Sequence, residues 1–210
     1  FYEAPYHIDP MSDNFKPSHV DGLEDELTEQ SDHNVEGVKV LFRDWINEID
    51  ISEADGKLDF PNDSRFITFN YTSTLQNVYG VDEGKVLHIH GQSEKYDDLV
   101  FGHGETIEVE PEIDENGDSN RTMFSDAQAA AKYPFFAFQK PVIELIEKNK
   151  VFFGSIEFVE EIIVIGHSFN KIDLPYFDKI ADSAKKANWL VCCYEESDKV
   201  HHVQALVDCG

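Results

Sequence analysis

The chain has 210 residues, enough to bury a sizeable core and near the upper range for one domain. Lys and Arg number 17 against 42 Asp and Glu, a formal charge of −25. That excludes sequence-independent binding to nucleic acid or to an anionic membrane, because both need a basic face. Hydrophobic residues at 41% and aromatics at 12% exclude a disordered chain, and no apolar run reaches 18 residues, which excludes a transmembrane helix.

In chain order, residues 1–34 are polar and acidic and read as a loop-like lead-in, followed by one α/β domain over 35–210. Val38, Leu41, Phe42, Trp45, Ile46 and Ile49 recur at helical spacing, so 35–50 is predicted to be an amphipathic helix with this stripe in the core. RFITFN (65–70) reads as a short buried strand, and TSTLQNVYG as a helix ending at Gly80. KVLHIHG (85–91) and LVFGHG (99–104) are predicted as the next two strands. The acidic stretch between 105 and 122, with its Pro and Gly, reads as a surface loop, and it lacks the DxDxDG order of a calcium loop. Residues 125–150 are helical, with a break at Tyr133-Pro134. EIIVIGHS (161–168) is a continuous apolar run of the kind buried on both faces. A helix at 173–187 follows, then a strand at 188–196 and a helix at 197–207. Strand and helix alternate, which predicts a mainly parallel sheet flanked by helices.

Three cysteines (Cys192, Cys193, Cys209) form no CxxC pair, so neither a zinc ribbon nor a disulfide framework is indicated, and a reducing, cytoplasmic setting fits. The N-terminus has no signal-peptide pattern. The first residue is Phe1 and not Met, from which a piece of a longer protein is expected.

In parallel sheets, ligands bind outside the carboxyl ends of the strands. Three predicted strands end abruptly in small polar residues: Asn70-Tyr71-Thr72, His88-Ile89-His90-Gly91 and Gly166-His167-Ser168. Asn70 at a strand end offers an amide to a ribose hydroxyl or a water, or else bonds its own backbone in a turn. His88 and His90 project from one face, and Gly91 permits close approach. A histidine here serves as a general base, or joins His103 in a metal triad, or is a hydrogen-bonded core residue. Gly166-His167-Ser168 lacks the second glycine of a hydrolase nucleophile elbow, because position 170 is Asn170. Its backbone amides and hydroxyl suit a ribose or phosphate better. Asp173 either caps the next helix or bonds a ribose hydroxyl. Phe101-Gly102-His103-Gly104 reads as a close-approach loop.

The blocks FITFNYTSTLQNVYG, VLHIHG, LVFGHG, IIVIGHSFNKIDLPYFDKI and WLVCCYEESD, in that order over about 60–205, resemble the AbiH family of bacteriophage abortive-infection proteins. The resemblance implies a role in bacterial defence against phage. A more distant similarity is to sirtuin-like NAD-consuming domains, and it implies a Rossmann-like or sirtuin-like core, incomplete in this chain. By that similarity Asn70 positions the ribose or a water and His90 is the general base. Tyr71, Thr72, Gly91, Gly166, His167, Ser168 and Asp173 line the nucleotide site. No resident cofactor is implied; NAD enters as a substrate. The chain departs from the family in lacking a GNGFD-type glycine-rich segment, since Gly22, Gly37 and Gly56 stand isolated. A non-enzymatic sensor that binds a nucleotide or a phage component is the alternative, and a metal-dependent hydrolase or nuclease on His88, His90 and His103 is another.

Overall fold

The computed structural model describes residues 12–14, 16, 20, 22–95, 98–109 and 111–208. Cys209 lies outside them. Two units make up the chain, Phe1–Trp45 with Glu105–Gln139 and Ile46–Gly104 with Lys140–Gly210.

In the first unit the acidic stretch is not a loop from residue 23 onward. Helix α1 spans Leu23–Asn47, passing into the second unit at its last turn. Glu24, Asp25 and Glu26 lie in its first turn, where carboxylates meet the positive end of the helix dipole. Leu23, Leu27, Ser31 and Val35 follow at i, i+4 spacing, and Ser31 and Val35 are buried. The predicted core stripe is only partly buried. Ile46 is inside, but Val38, Leu41, Trp45 and Ile49 are exposed, Leu41 by 69%. Apolar spacing defines a helix face and carries no information on what covers it.

Helix α3, Ser125–Ala137, contains Pro134 and runs through the predicted break. Proline has no N–H, so the carbonyl four residues earlier, at Ala130, loses its helical donor. The Ser31 hydroxyl of α1 donates to that carbonyl at 3.0 Å. Between the two helices the acidic stretch is a loop, as expected, closed by a bridge between Ile113 and Ser119. Asp114 Oδ1 accepts the amides of Asn116 and Asp118, both at 2.8 Å.

Among the described residues the second unit carries four short strands in two separate parallel ladders. Strand β1, Phe66–Thr68, pairs with β2, Val86–His88, and helix α2, Thr74–Asn77, lies between them in sequence. Phe66 is opposite Val86 and Thr68 opposite His88. Strand β3, Glu161–Ile165, pairs with β4, Asn188–Cys192, in the register Ile163 to Leu190. Parallel order and α/β alternation match the expectation, whereas the four strands form two ladders and not one sheet. Residues 99–104, predicted as a strand, are irregular, with the Val100 amide donating to the His90 carbonyl at 2.9 Å.

Helices α4 (Val142–Lys148), α5 (Lys150–Gly154), α6 (Leu174–Ser183) and α7 (Glu196–Asp208) complete this unit. Its core is Ile89, Phe153, Val164, Phe169, Tyr176 and Phe177 with their neighbours. Strand β3 is not buried on both faces. Ile162 and Val164 turn inward, while Ile163 and Ile165 are about half exposed, as is Leu190 on β4. An unbroken apolar run does not disclose which alternate side chains find a partner.

The Ser31–Ala130 bond gives a sharp test. Ser31→Ala is expected to cost about 1 kcal/mol in urea unfolding. Pro134→Ala restores a helical donor to Ala130, so in that background Ser31→Ala should cost about half as much or less.

Candidate functional site

Parallel pairing sends the chain out of β1 and β2 at the same edge. The ladder continues for one bond, from the Ile89 amide to the Thr68 carbonyl at 3.1 Å, and then both chains turn. Gly91 makes its turn at φ +87°, which a side chain rarely allows. The Ser93 amide donates to the Tyr71 carbonyl at 3.0 Å, and Gln92 Nε2 donates to Ser73 Oγ at 2.6 Å. Ser73 Oγ donates onward to Glu94. These bonds tie the two strand-end loops together and fix His90 between them.

His90 is 3% exposed. Its ring lies among Phe69, Tyr71 and Tyr176, with ring centroids 5.4, 6.3 and 5.7 Å away. Burial pushes its pKa down to about 4, and the nearby Lys140 adds to this, against opposing pulls from Asp173 and a hydrogen bond to the Phe69 backbone. The imidazole is therefore neutral at pH 7. A bond to a backbone carbonyl needs a ring N–H, and Nε2 has no hydrogen-bond partner, so the proton sits on Nδ1. Nε2 presents a lone pair 3.8 Å from Asp173 Oδ1.

His167 has the opposite tautomer. Phe169, held at φ +52°, donates its amide to His167 Nδ1 at 2.9 Å. The proton is then on Nε2, which faces Asp173 Oδ2 at 3.8 Å. Burial lowers the His167 pKa as well, with Asp173 opposing.

Asp173 stands at the start of α6 but does not cap it; its side chain makes no bond to the first turn. It accepts from Lys140 Nζ at 3.2 Å instead. Both side chains are nearly enclosed, at 11% and 12% exposure. One carboxylate thus meets an ammonium and two imidazoles. Tyr176, completely buried, follows on α6 with a hydroxyl that has no hydrogen-bond partner. Burial raises its pKa and pushes that of Tyr71 up to about 12, so both phenols are neutral. Tyr71 donates to the Val100 carbonyl at 2.7 Å.

Of the predicted residues, the structure brings His90, His167, Asp173 and Tyr71 together. Gly91 serves their turn, and Gly166 turns the chain after β3 at φ +68°. Asn70 is exposed, with its carbonyl 3.1 Å from His88 Nδ1. Thr72 bonds Thr74 within its own turn, at 2.9 Å, and Ser168 is exposed. The predicted close approach of the 101–104 loop is present: a Cβ at Gly104 would lie 2.9 Å from Ile172 Cγ1, next to Asp173.

The metal triad is not assembled. His88 is turned to Gln76 and the Asn70 carbonyl, and among the described residues no group of three His, Cys, Asp or Glu is placed to hold an ion. Lys140 and Phe69 were not legible as site residues. Lys140 lies in no motif, and the only local signal is its place before Pro141. Phe69 reads simply as core, although its ring centroid is 4.4 Å from that of His167.

Two outcomes test this geometry. Tyr176→Phe removes a buried hydroxyl that has no partner, so unfolding free energy should change by less than about 1 kcal/mol; a larger loss would mean that the hydroxyl is bonded. The depressed His90 pKa means that the unfolded chain binds a proton between pH 6.5 and 4 that the folded chain refuses. His90 thus lowers stability as pH falls through that window, by about 3 kcal/mol between pH 7 and pH 4. His90→Gln should reduce the pH dependence of urea unfolding by about this amount.

No curated protein and no solved structure matches the chain significantly. Among the described residues no helix is long and apolar enough to cross a membrane. The profile of one family, described as bacteriophage abortive infection AbiH, matches residues 3–193. That covers nearly the whole chain and takes in the NYT, HIHG, GHG and GHS blocks, of which His90 and His167 flank Asp173. The chain belongs to the AbiH family of bacteriophage abortive-infection proteins.

Proposed function

We propose that this AbiH chain acts in phage defence by hydrolysing the N-glycosidic bond of a nucleotide, NAD in the first instance, with His90 as general base. The observation that carries the reading is the neutral imidazole whose Nε2 lone pair is free of hydrogen bonds beside Asp173. The choice of NAD rests on the distant sequence similarity to sirtuin-like domains.

In this reading Nε2 takes a proton from water. The water oxygen attacks the anomeric carbon of the ribose, and the carbon–nitrogen bond breaks with its electron pair leaving on nicotinamide. The imidazolium formed lies 3.8 Å from the Asp173 carboxylate, whose charge favours it. Lys140 pairs with that carboxylate at 3.2 Å in its enclosed position. His167 Nε2 lies 3.8 Å from the other carboxylate oxygen. Asn70, exposed at the strand end, would meet a ribose hydroxyl or the water in this reading. Tyr71, Thr72, Gly91, Gly166 and Ser168 belong to the same strand-end loops and would line the nucleotide.

The second reading is a nucleotide-binding sensor without turnover. The enclosure of His90 and Tyr176 favours it, because a ligand held there is shut off from bulk water. Nicotinamide release from NAD, measured on the full chain, separates the two. Hydrolysis predicts release that falls at least about 100-fold in His90→Ala. It also predicts kcat/KM that holds down to about pH 5, since a base with a pKa of about 4 is still unprotonated there. Unchanged release in His90→Ala overturns the assignment of His90. Nucleotide binding with no release in the parent chain decides for the sensor.

A further inference from the structure

Outside the site, Cys193 and His202 bring a thiol nucleophile against an imidazole base. Cys193 follows the last residue of β4 and is exposed. Its Sγ lies 3.4 Å from Nδ1 of His202, hydrogen-bond distance for sulfur. His202 sits in α7 and is only 8% exposed. Its ring packs against Phe169, with centroids 5.0 Å apart, so the imidazole is held from behind and its nitrogen turned to the thiol. The thiol is thus open to solvent while its partner is enclosed, the arrangement by which a base takes a thiol proton and leaves the sulfur accessible. Cys192, one residue earlier, is also exposed. Successive residues at a strand end point to opposite faces, so Cys192 does not share the imidazole and serves as an internal reference.

We propose that Cys193, activated by His202, is a modification site for small electrophiles of the peroxide class. His202 Nδ1 accepts the thiol proton and the sulfur attacks one peroxide oxygen. The sulfur–oxygen bond forms as the oxygen–oxygen bond breaks, and the departing hydroxide takes a proton to leave as water. Cys193 becomes a sulfenic acid, oxidised by two electrons, and the peroxide is reduced. The sulfur is soft enough for alkylating electrophiles to report the same activation.

The test is mass-spectrometric mapping of the full chain after limiting iodoacetamide or hydrogen peroxide, with fragmentation assigning Cys192 and Cys193 separately. Cys193 is expected to react at least 10-fold faster than Cys192. His202→Ala removes bulk over the sulfur, so a merely steric partner predicts faster labelling of Cys193, whereas loss of the base predicts labelling slowed about 10-fold. His202→Phe keeps a ring against Phe169 without a nitrogen and should slow labelling equally, which guards against a folding defect in the first variant. Equal rates at the two cysteines, or labelling of Cys193 unchanged or faster in both His202 variants, overturns the proposal.

Discussion

The ion pair between Asp173 and Lys140 is where the second unit's sequence-distant parts meet. Lys140 precedes α4 and Asp173 precedes α6, and their side chains join at 3.2 Å with little exposure. Either charge alone would be costly in that position, and removing one partner of such a pair leaves the other uncompensated. The pair in turn sets the electrostatics around it. Lys140 works with burial to keep His90 and His167 neutral, while Asp173 works against that tendency. The two histidines answer the same carboxylate with opposite tautomers, because one ring bonds the Phe69 backbone and the other receives the Phe169 amide. Their chemistry therefore differs although both are histidines beside the same acid.

Backbone geometry brings these groups within reach. Parallel pairing of β1 with β2 makes the Asn70 and His90 loops leave at one edge, and the Gln92–Ser73–Glu94 bonds then bind the loops to each other. The β3–β4 ladder delivers His167 in the same way after Ile165. Phe69 lies between the rings of His90, His167, Tyr176 and Phe177, so one aromatic residue at a strand end packs against both histidines. Packing and polar chemistry are not separate layers here: the enclosure that keeps His90 unprotonated is supplied by the core itself.

Surface exposure is distributed unevenly. Half of β3 faces outward with Ile163 and Ile165, and α1 shows Leu41 and Trp45. In the first unit the Ser31 hydroxyl satisfies the carbonyl that Pro134 leaves without a helical donor. A proline inside a helix is tolerated when another donor reaches the freed acceptor.

The kinds and order of many elements are legible in local runs of residues. The FITF, KVLH, EIIVI and NWLVC segments declare strands by β-branched and apolar runs, and the alternation with helices declares parallel pairing. The polar ends of those strands marked His90 and His167, the start of the next helix marked Asp173, and the ordered blocks marked the AbiH family. Local chemistry suffices for such features, because periodicity and turn residues act over a few positions. Long-range packing set the rest. It separated the strands into two ladders and left half of the β3 run in solvent. It drew Asp173 away from the α6 cap and brought in Lys140 from 33 residues upstream. It also selected opposite tautomers for two histidines that the sequence presents alike. Each of these depends on which distant group fills a given space or accepts a given proton, and no spacing along a single chain encodes that.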